Sequence, residues 1–284
     1  MDDPRARVLI TASALADRLH AAEDLVILAV RNVGRRDLSA FAGDERIPGA
    51  VDIDMPTEMA GPGGGTNGSR PLPAIAELQR DARRWGIRRS SPVVVYDHDR
   101  GLQAGRAWWV LRWAGIADVR LLDGGFAAWK AAGLSSVRTA PAPAEGDVVL
   151  SGGHLPVLDA DAAAVQARDG ILLDTRIRAN YIGGPVGTGQ PARGHIPGSV
   201  SAPAADALLE DGTFAEAETL RHLYAALGVD GTRPVGVSCG AGVSAAHTVA
   251  ALASIGIEAA MYPGSWSAWS ADPDRPVTIG GRPG

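Results

Sequence analysis

Short runs of apolar residues alternate with amphipathic stretches along the chain. An apolar run of about four to eight residues is typical of a strand buried on both faces, whereas apolar residues at helical spacing predict a helix. The pattern predicts strands over residues 25–30, 93–96, 119–122, 171–173, 235–238 and 258–262, and helices over 104–113 and 244–254. Because strands and helices alternate, an α/β fold with parallel sheets covered by helices is indicated.

Four sequence patterns occur twice, in the same order and at nearly constant separation. The pairs are residues 28–31 with 173–176, 47–51 with 196–200, 92–97 with 234–239, and 124–129 with 264–269. A repeated set of this kind indicates a duplicated domain, and 284 residues suffice for two domains of about 150 residues each. We predict an N-terminal domain over 1–138, a linker over 139–147, where proline recurs without periodicity, and a C-terminal domain over 148–284.

Composition narrows the possible partners and the compartment. A net charge of −5 gives no positive field for nucleic acid or an anionic membrane. A single cysteine excludes an internal disulfide and a cysteine-based zinc site, and the six histidines are scattered, so no metal is expected. No apolar run approaches the ~18 residues of a membrane span, and the N-terminus lacks the pattern of a secretory leader. We expect a cytoplasmic protein with a reduced thiol.

Two glycine motifs suggest functions that their surroundings do not support. Residues 63–68 fit G-x-G-x-x-G, but no strand precedes them and no helix follows, so we interpret them as a flexible surface loop rather than a dinucleotide site. Residues 236–240 fit the G-x-S-x-G elbow of esterases, which needs an acid and then a histidine further along the chain. The histidine found there, His247, precedes the acids, which include Asp272 and Asp274, so the order is wrong.

The cysteine stands in a loop suited to reactive chemistry. Cys239 follows the predicted strand directly, and the loop through Ala245 leads into the predicted helix. Gly240 and Gly242 let the backbone curl so that successive N–H groups point inward at a helix N-terminus, which forms a cradle for an anion and stabilises a thiolate. A buried, inert cysteine is the alternative. A cysteine phosphatase would need an arginine at the position of Ala245, so the loop suits a small group such as a second sulfur atom.

These residues resemble the tandem-domain rhodanese family, sulfurtransferases of the thiosulfate and 3-mercaptopyruvate type. The resemblance covers nearly the whole chain and is carried by residues 172–176, 194–198, 239–245 and 264–269. It implies two rhodanese-like domains, each a mainly parallel sheet covered by helices on both faces, with only the C-terminal domain catalytic. Asp97 stands at the N-terminal position that matches Cys239, which agrees with a scaffold role for that half.

The resemblance also implies a reaction. Cys239 would take a sulfane sulfur from a small anionic donor, thiosulfate or 3-mercaptopyruvate, as a persulfide and pass it to cyanide or a thiol, without a cofactor. The implied substrate-binding residues are those of the loop, Gly240, Ala241, Gly242, Val243 and Ser244, together with Arg193 and Arg178.

Three positions depart from or qualify the family pattern. The loop lacks the cations usual after the cysteine in thiosulfate-type members and is closer to the mercaptopyruvate pattern, although Ala241 replaces a hydroxyl residue. One substrate-gripping arginine of the family falls on Asn180, and Arg178 is the candidate substitute. His195 is expected to fasten its own loop rather than act as a base.

Two further hypotheses stay open. The chain could be a sulfur-relay protein that accepts persulfide from a partner protein, because Asn180 and the uncharged loop weaken the case for a small donor. An inactive regulatory module would leave the intact cysteine loop unexplained.

Overall fold

The structure, a computed structural model, describes residues 3–184 and 193–284. The chain divides into two compact units, and each includes a short segment from the other half of the sequence. Unit 1 comprises Met1–Gly61, Leu72–Leu155 and Leu208–Phe214, and unit 2 comprises Pro62–Pro71, Pro156–Ala207 and Ala215–Gly284. Among the described residues, no helix has the length and apolar character needed to cross a membrane.

Unit 1 is built on a parallel sheet. Its strands are β1 (Leu9–Ile10), β2 (Val26–Arg31), β3 (Ala50–Asp54), β4 (Val93–Tyr96) and β5 (Val119–Leu122), in the order β1-β5-β4-β2-β3. Its helices are α1 (Pro4–Val8), α2 (Ala12–His20), α3 (Met55–Glu58), α4 (Ile75–Arg84), α5 (Leu102–Trp113) and α6 (Gly125–Ala131), with a 3₁₀ turn at Ser39–Phe41. Alternate strand residues such as Ile27 and Val94 form one buried cluster with Leu15 of α2 and Trp129 of α6, while α5 packs against β2, β4 and β5.

Unit 2 repeats this plan. Its strands are β6 (Ile171–Asp174), β7 (Val200–Ser201), β8 (Val235–Ser238) and β9 (Ala260–Met261), in the parallel order β7-β6-β8-β9. Its helices are α7 (Ala160–Asp169), α8 (Arg178–Ile182), α9 (Ala217–Ala226), α10 (Val243–Ser254) and α11 (Ser265–Trp269), with 3₁₀ turns at Gly65–Asn67 and Ala204–Ala207. The order matches β3-β2-β4-β5 of unit 1, so the predicted duplication and the α/β class are confirmed.

The predicted elements agree closely with the observed ones where the sequence is strongly apolar. The bounds of β4, β5 and β8 are those predicted, β2 and β6 end one residue later, and α5 and α10 begin slightly earlier. The predicted strand 258–262 shortens to β9 because only Ala260 and Met261 pair with β8. The pattern did not predict β1, β3 or β7, which are either two residues long or, in β3, interrupted by acidic residues.

The carboxyl end of β8 and the start of α10 are the features that position the functional site. Gly242 lies just before α10 with φ +73, a left-handed conformation that glycine adopts without steric cost. The chain therefore turns sharply between strand and helix, in the loop that carries the cysteine.

Candidate active site

Cys239 is the first residue after β8 and is buried, with 2% of its surface exposed. Its Sγ accepts a hydrogen bond from the N–H of Gly242 at 3.0 Å, and the hydroxyl of Ser265 lies 3.8 Å from the same sulfur. The Gly242 N–H thus points at the sulfur next to the N-terminus of the twelve-residue helix α10. Such a setting stabilises a negative charge on sulfur.

Most of the remaining loop is half-buried, with Gly242 buried, and the loop leaves one open side. Around the backbone of Gly240, the space that a Cβ would occupy has no neighbour within 4 Å. Ser244, in the first turn of α10, has its Oγ 2.9 Å from Oγ1 of Thr175, which follows β6. The loop is therefore fastened to β6 at its far end and accessible near the cysteine.

The short helix α11 holds the cysteine loop by its backbone. The N–H of Trp266 donates to the carbonyl of Cys239, and the N–H of Ser267 donates to the carbonyl of Gly240, both at 2.9 Å. In the opposite direction the N–H of Cys239 donates to Oγ of Ser265 at 3.1 Å, while that hydroxyl donates to the carbonyl of Tyr262 at 2.8 Å. Both the N–H and the carbonyl of Cys239 are thereby hydrogen-bonded to α11.

Ser265 adopts a backbone conformation that is unusual for its residue type. Its φ is +52, in the left-handed region, and it is completely buried. The repeat places Gly125 at the equivalent position of unit 1, with φ +59. Unit 1 uses glycine, which has no steric cost there, and unit 2 uses a strained serine whose hydroxyl faces the cysteine. Strain of this kind concentrates at functional sites, so we assign Ser265 to the site.

The equivalent loop of unit 1 holds a carboxylate where unit 2 holds the sulfur. Asp97 follows β4 and accepts hydrogen bonds from the backbone N–H groups of Asp99, Gly101 and Ala104, each at 2.8 Å. Burial raises the pKa of Asp97, and these three hydrogen bonds oppose that rise. The strand–loop–helix turn common to both units therefore directs backbone N–H groups at the side chain that follows the strand, three at Asp97 and that of Gly242 at Cys239.

Arg176 links the cysteine loop to the segment that carries Arg193. Its guanidinium binds the carboxylate of Asp174 with three hydrogen bonds of 2.5–3.1 Å, donates to the carbonyl of Gly194 at 2.7 Å and lies 4.6 Å from the centre of the Trp266 ring. Trp266 follows Ser265, and Gly194 follows Arg193. The exposed Arg193 is thus carried by a segment anchored to the same α11 that holds Cys239.

The structure places the other predicted residues in different surroundings. Arg178 begins α8 and is exposed, and its guanidinium lies beside Gly281; Asn180 is exposed on the same helix. His195 is fully buried: its Nδ1 lies 2.9 Å from the carbonyl of Tyr181, and its ring stacks on the Tyr181 ring with centroids 3.8 Å apart. The prediction that His195 fastens its loop is confirmed.

His247 and Ser238 do not form the machinery of an esterase. Ser238 ends the buried strand β8, with 1% of its surface exposed. His247 is completely buried within α10, and this burial lowers its pKa to about 4. At neutral pH the imidazole is therefore uncharged. Within residues 3–184 and 193–284, no group of three or more His, Cys, Asp or Glu side chains is placed to hold a metal ion.

Comparison with known proteins agrees with the duplicated fold. The sequence matches the Rhodanese-like domain twice, over residues 11–132 and 159–272. The chain therefore belongs to the rhodanese family, as the resemblance of its motifs predicts, and contains two domains of that family.

The relatives extend over nearly the full chain. A Mycobacterium tuberculosis protein assigned as thiosulfate sulfurtransferase SseB is 43% identical in an alignment of 282 residues that covers 97% of this chain and 98% of that protein. A Pseudomonas aeruginosa protein assigned as a 3-mercaptopyruvate sulfurtransferase is 41% identical in an alignment of 285 residues that covers 96% of this chain and 98% of that protein. The crystal structure of SseA from Escherichia coli, a 3-mercaptopyruvate sulfotransferase, superposes with a TM-score of 0.78 at 26% identity, covering 91% of this chain and 98% of SseA. The chain is accordingly an enzyme of the sulfurtransferase class.

Sequence reasoning located the cysteine loop but missed the residues that hold it. The residues 264–269 were recognised as a repeat, without a role for Ser265 or Trp266. A comparison of the two copies offers a usable signal for Ser265, because this serine replaces Gly125 of the N-terminal copy. Arg176 and Asp174 were likewise recognised only as part of a motif.

Proposed function

We propose that the protein transfers a sulfane sulfur from a small anionic donor to a thiophilic acceptor through a persulfide on Cys239. The Cys239 thiolate attacks the outer sulfur of thiosulfate, the S–S bond breaks, and sulfite leaves with the bonding electrons. With 3-mercaptopyruvate the C–S bond breaks instead, and the pyruvate enolate that leaves takes a proton from water. Cyanide or a thiolate then attacks the outer persulfide sulfur and regenerates the Cys239 thiolate.

The observation that carries the proposal is the position of the Cys239 sulfur. It accepts the Gly242 N–H at 3.0 Å, in a loop whose counterpart in unit 1 holds the Asp97 carboxylate by three N–H groups. Backbone donors fixed before the reaction stabilise charge that develops during it. A thiolate and a persulfide anion are the charges that this chemistry places there.

The donor is bound by its negative charge and enters from the open side at Gly240. Because the loop itself has no cationic side chain, we assign recognition of the donor anion to Arg193, whose segment is anchored through Arg176. Arg178 is a second candidate, although its guanidinium lies beside Gly281. The relatives named for each donor support both thiosulfate and 3-mercaptopyruvate as substrates, and the uncharged loop favours 3-mercaptopyruvate of the two.

Parallel steady-state assays with the two donors test the proposal, with sulfite or pyruvate release and thiocyanate formation as readouts. We expect turnover with at least one donor and none in Cys239→Ser. Arg193→Ala should raise KM for the donor about tenfold or more, since a hydrogen-bonded charge contributes about 1.5–3 kcal/mol. Arg178→Ala, the matched change at the second candidate arginine, shows whether that residue also binds the donor. Turnover in Cys239→Ser would contradict the proposal.

A relay from a partner protein is the second candidate function, favoured by the exposed Asn180 where the family has an arginine. Under this alternative, a persulfidated protein loads Cys239 efficiently and both small donors do so poorly. Efficient turnover of a small donor excludes it. For either function we propose a cytoplasmic location, where reducing conditions keep a single thiol free.

A further inference from the structure

The glycine-rich segment 62–71 lies in unit 2, although it comes from the N-terminal half of the sequence. Its glycine pattern, without a preceding strand or following helix, predicts a flexible surface loop. Residues 62–67 are exposed, but Gly68 is buried. The segment also closes on itself, because the N–H of Gly64 donates to the carbonyl of Gly68 at 2.8 Å. We call residues 62–71 the arm.

The arm is seated on the start of α11. A Cβ added at Gly68, whose φ is +80, would lie 2.8 Å from the carbonyl oxygen of Gly264 and 3.1 Å from Oγ of Ser267. The backbone N–H of the next residue, Ser69, donates to that same Oγ of Ser267 at 2.9 Å. Only a residue without a side chain fits at position 68, so the contact is close and specific.

The same part of α11 holds the cysteine loop. Ser267 receives the arm through its side chain and donates its backbone N–H to the carbonyl of Gly240 at 2.9 Å. Trp266, one residue earlier, donates its N–H to the carbonyl of Cys239. Ser267 therefore contacts the arm through its side chain and the cysteine loop through its backbone.

A helix as short as α11, with five residues, does not hold its own position. Its position depends on outside contacts: Ala268 and Trp269 pack into the buried core of unit 2, and its first turn lies between the arm on one side and the cysteine loop on the other. The strained Ser265 at the start of the helix adds to this requirement. A contact that fixes Ser267 consequently fixes the N–H groups that hold Cys239.

We propose that the arm, through Gly68 and the Ser69–Ser267 hydrogen bond, positions the Cys239 loop for sulfur transfer. Gly68 and Ser267 are positioning residues, because they act through α11 and do not touch the sulfur. The link to catalysis rests on the sulfurtransferase function proposed above. The positioning itself is a property of the folded protein and needs no sulfur donor.

Two glycines of the arm provide a matched pair of variants. Gly68→Ala places a methyl group against Gly264, whereas Gly65→Ala imposes a similar left-handed strain, at φ +50, with no neighbour within 4 Å. A second pair tests the hydrogen bond: Ser267→Ala removes the acceptor of the Ser69 N–H, and Ser267→Thr keeps a hydroxyl. Hydrogen exchange of the Trp266 and Ser267 amides in the full-length protein reports directly on the hold of α11 on the loop.

We expect Gly68→Ala and Ser267→Ala to accelerate exchange of these amides about tenfold, the factor given by about 1.4 kcal/mol, and to lower kcat by a similar factor. KM for the donor should stay near the wild-type value because Arg193 is untouched. Gly65→Ala and Ser267→Thr should resemble the wild type in both measurements. Equal exchange in Gly68→Ala and Gly65→Ala would overturn the proposal, as would full kcat in Ser267→Ala. Because hydrogen exchange needs no sulfur donor, it tests whether the arm positions the Cys239 loop even if the protein turns over neither donor.

Discussion

Acid should destabilise this protein through His247, which lies on the helix that follows the cysteine loop. Complete burial lowers the pKa of His247 from 6.5 to about 4. In the unfolded chain the imidazole keeps its ordinary pKa and binds a proton at higher pH than in the folded state. The contribution of the neutral histidine to stability is therefore fully present above pH 6.5 and is lost as the pH falls toward 4. The difference between these two pKa values corresponds to a loss of about 3 kcal/mol in the free energy of unfolding.

Replacing this histidine with a side chain that does not titrate tests whether His247 causes the loss of stability in acid. We expect His247→Gln to remove the dependence, so that the difference in free energy of unfolding between variant and wild type shifts in favour of the variant by about 3 kcal/mol between pH 7 and pH 4. Urea unfolding followed by circular dichroism at several pH values measures this difference. His222→Gln, the same change at an exposed position of α9, is the matched control. Parallel pH curves for His247→Gln and the wild type would refute the reasoning.

Three further substitutions test the roles of individual residues. Asp97→Ala should lower the free energy of unfolding by about 3 kcal/mol in urea, because three N–H groups, two of them buried, lose their acceptor, while intact mass still shows sulfur loading of Cys239. Ser265→Gly should lower the free energy of unfolding by only about 1 kcal/mol, since relief of left-handed strain partly offsets the two lost hydrogen bonds of the hydroxyl, yet lower kcat about tenfold. Arg176→Lys should raise KM for the donor severalfold, because a lysine cannot bind Asp174 and the Gly194 carbonyl together; steady-state kinetics measures both effects.

The sequence was sufficient for the sheets because their central strands are continuous apolar runs and because the two copies support each other. The edge strands were missed where burial depends on partners distant in the chain. β3 carries Asp52 and Asp54, whose charges are paired or hydrogen-bonded in the folded unit, as in the ion pair of Asp52 with Arg31. No local pattern predicts such pairing.

The site was predictable only in part, for a related reason. Cys239 and its glycines are adjacent in sequence, so their chemistry could be inferred from spacing. The groups that hold the loop come from α11, from Arg176 and from the arm, which are brought together only by folding. Residues 62–67 of the arm are exposed, as expected of a surface loop, but the close approach of Gly68 to Gly264 depends on folding and has no local pattern that predicts it.

The central claim is that Cys239 carries the transferred sulfur, and intact-protein mass spectrometry tests it most directly. After incubation with thiosulfate or 3-mercaptopyruvate and removal of the donor, the wild type should gain the mass of one sulfur atom and lose it on addition of cyanide or a thiol. Because Cys239 is the single cysteine, Cys239→Ser should gain nothing. Absence of a mass gain with both donors, or a gain that persists in Cys239→Ser, would contradict the account.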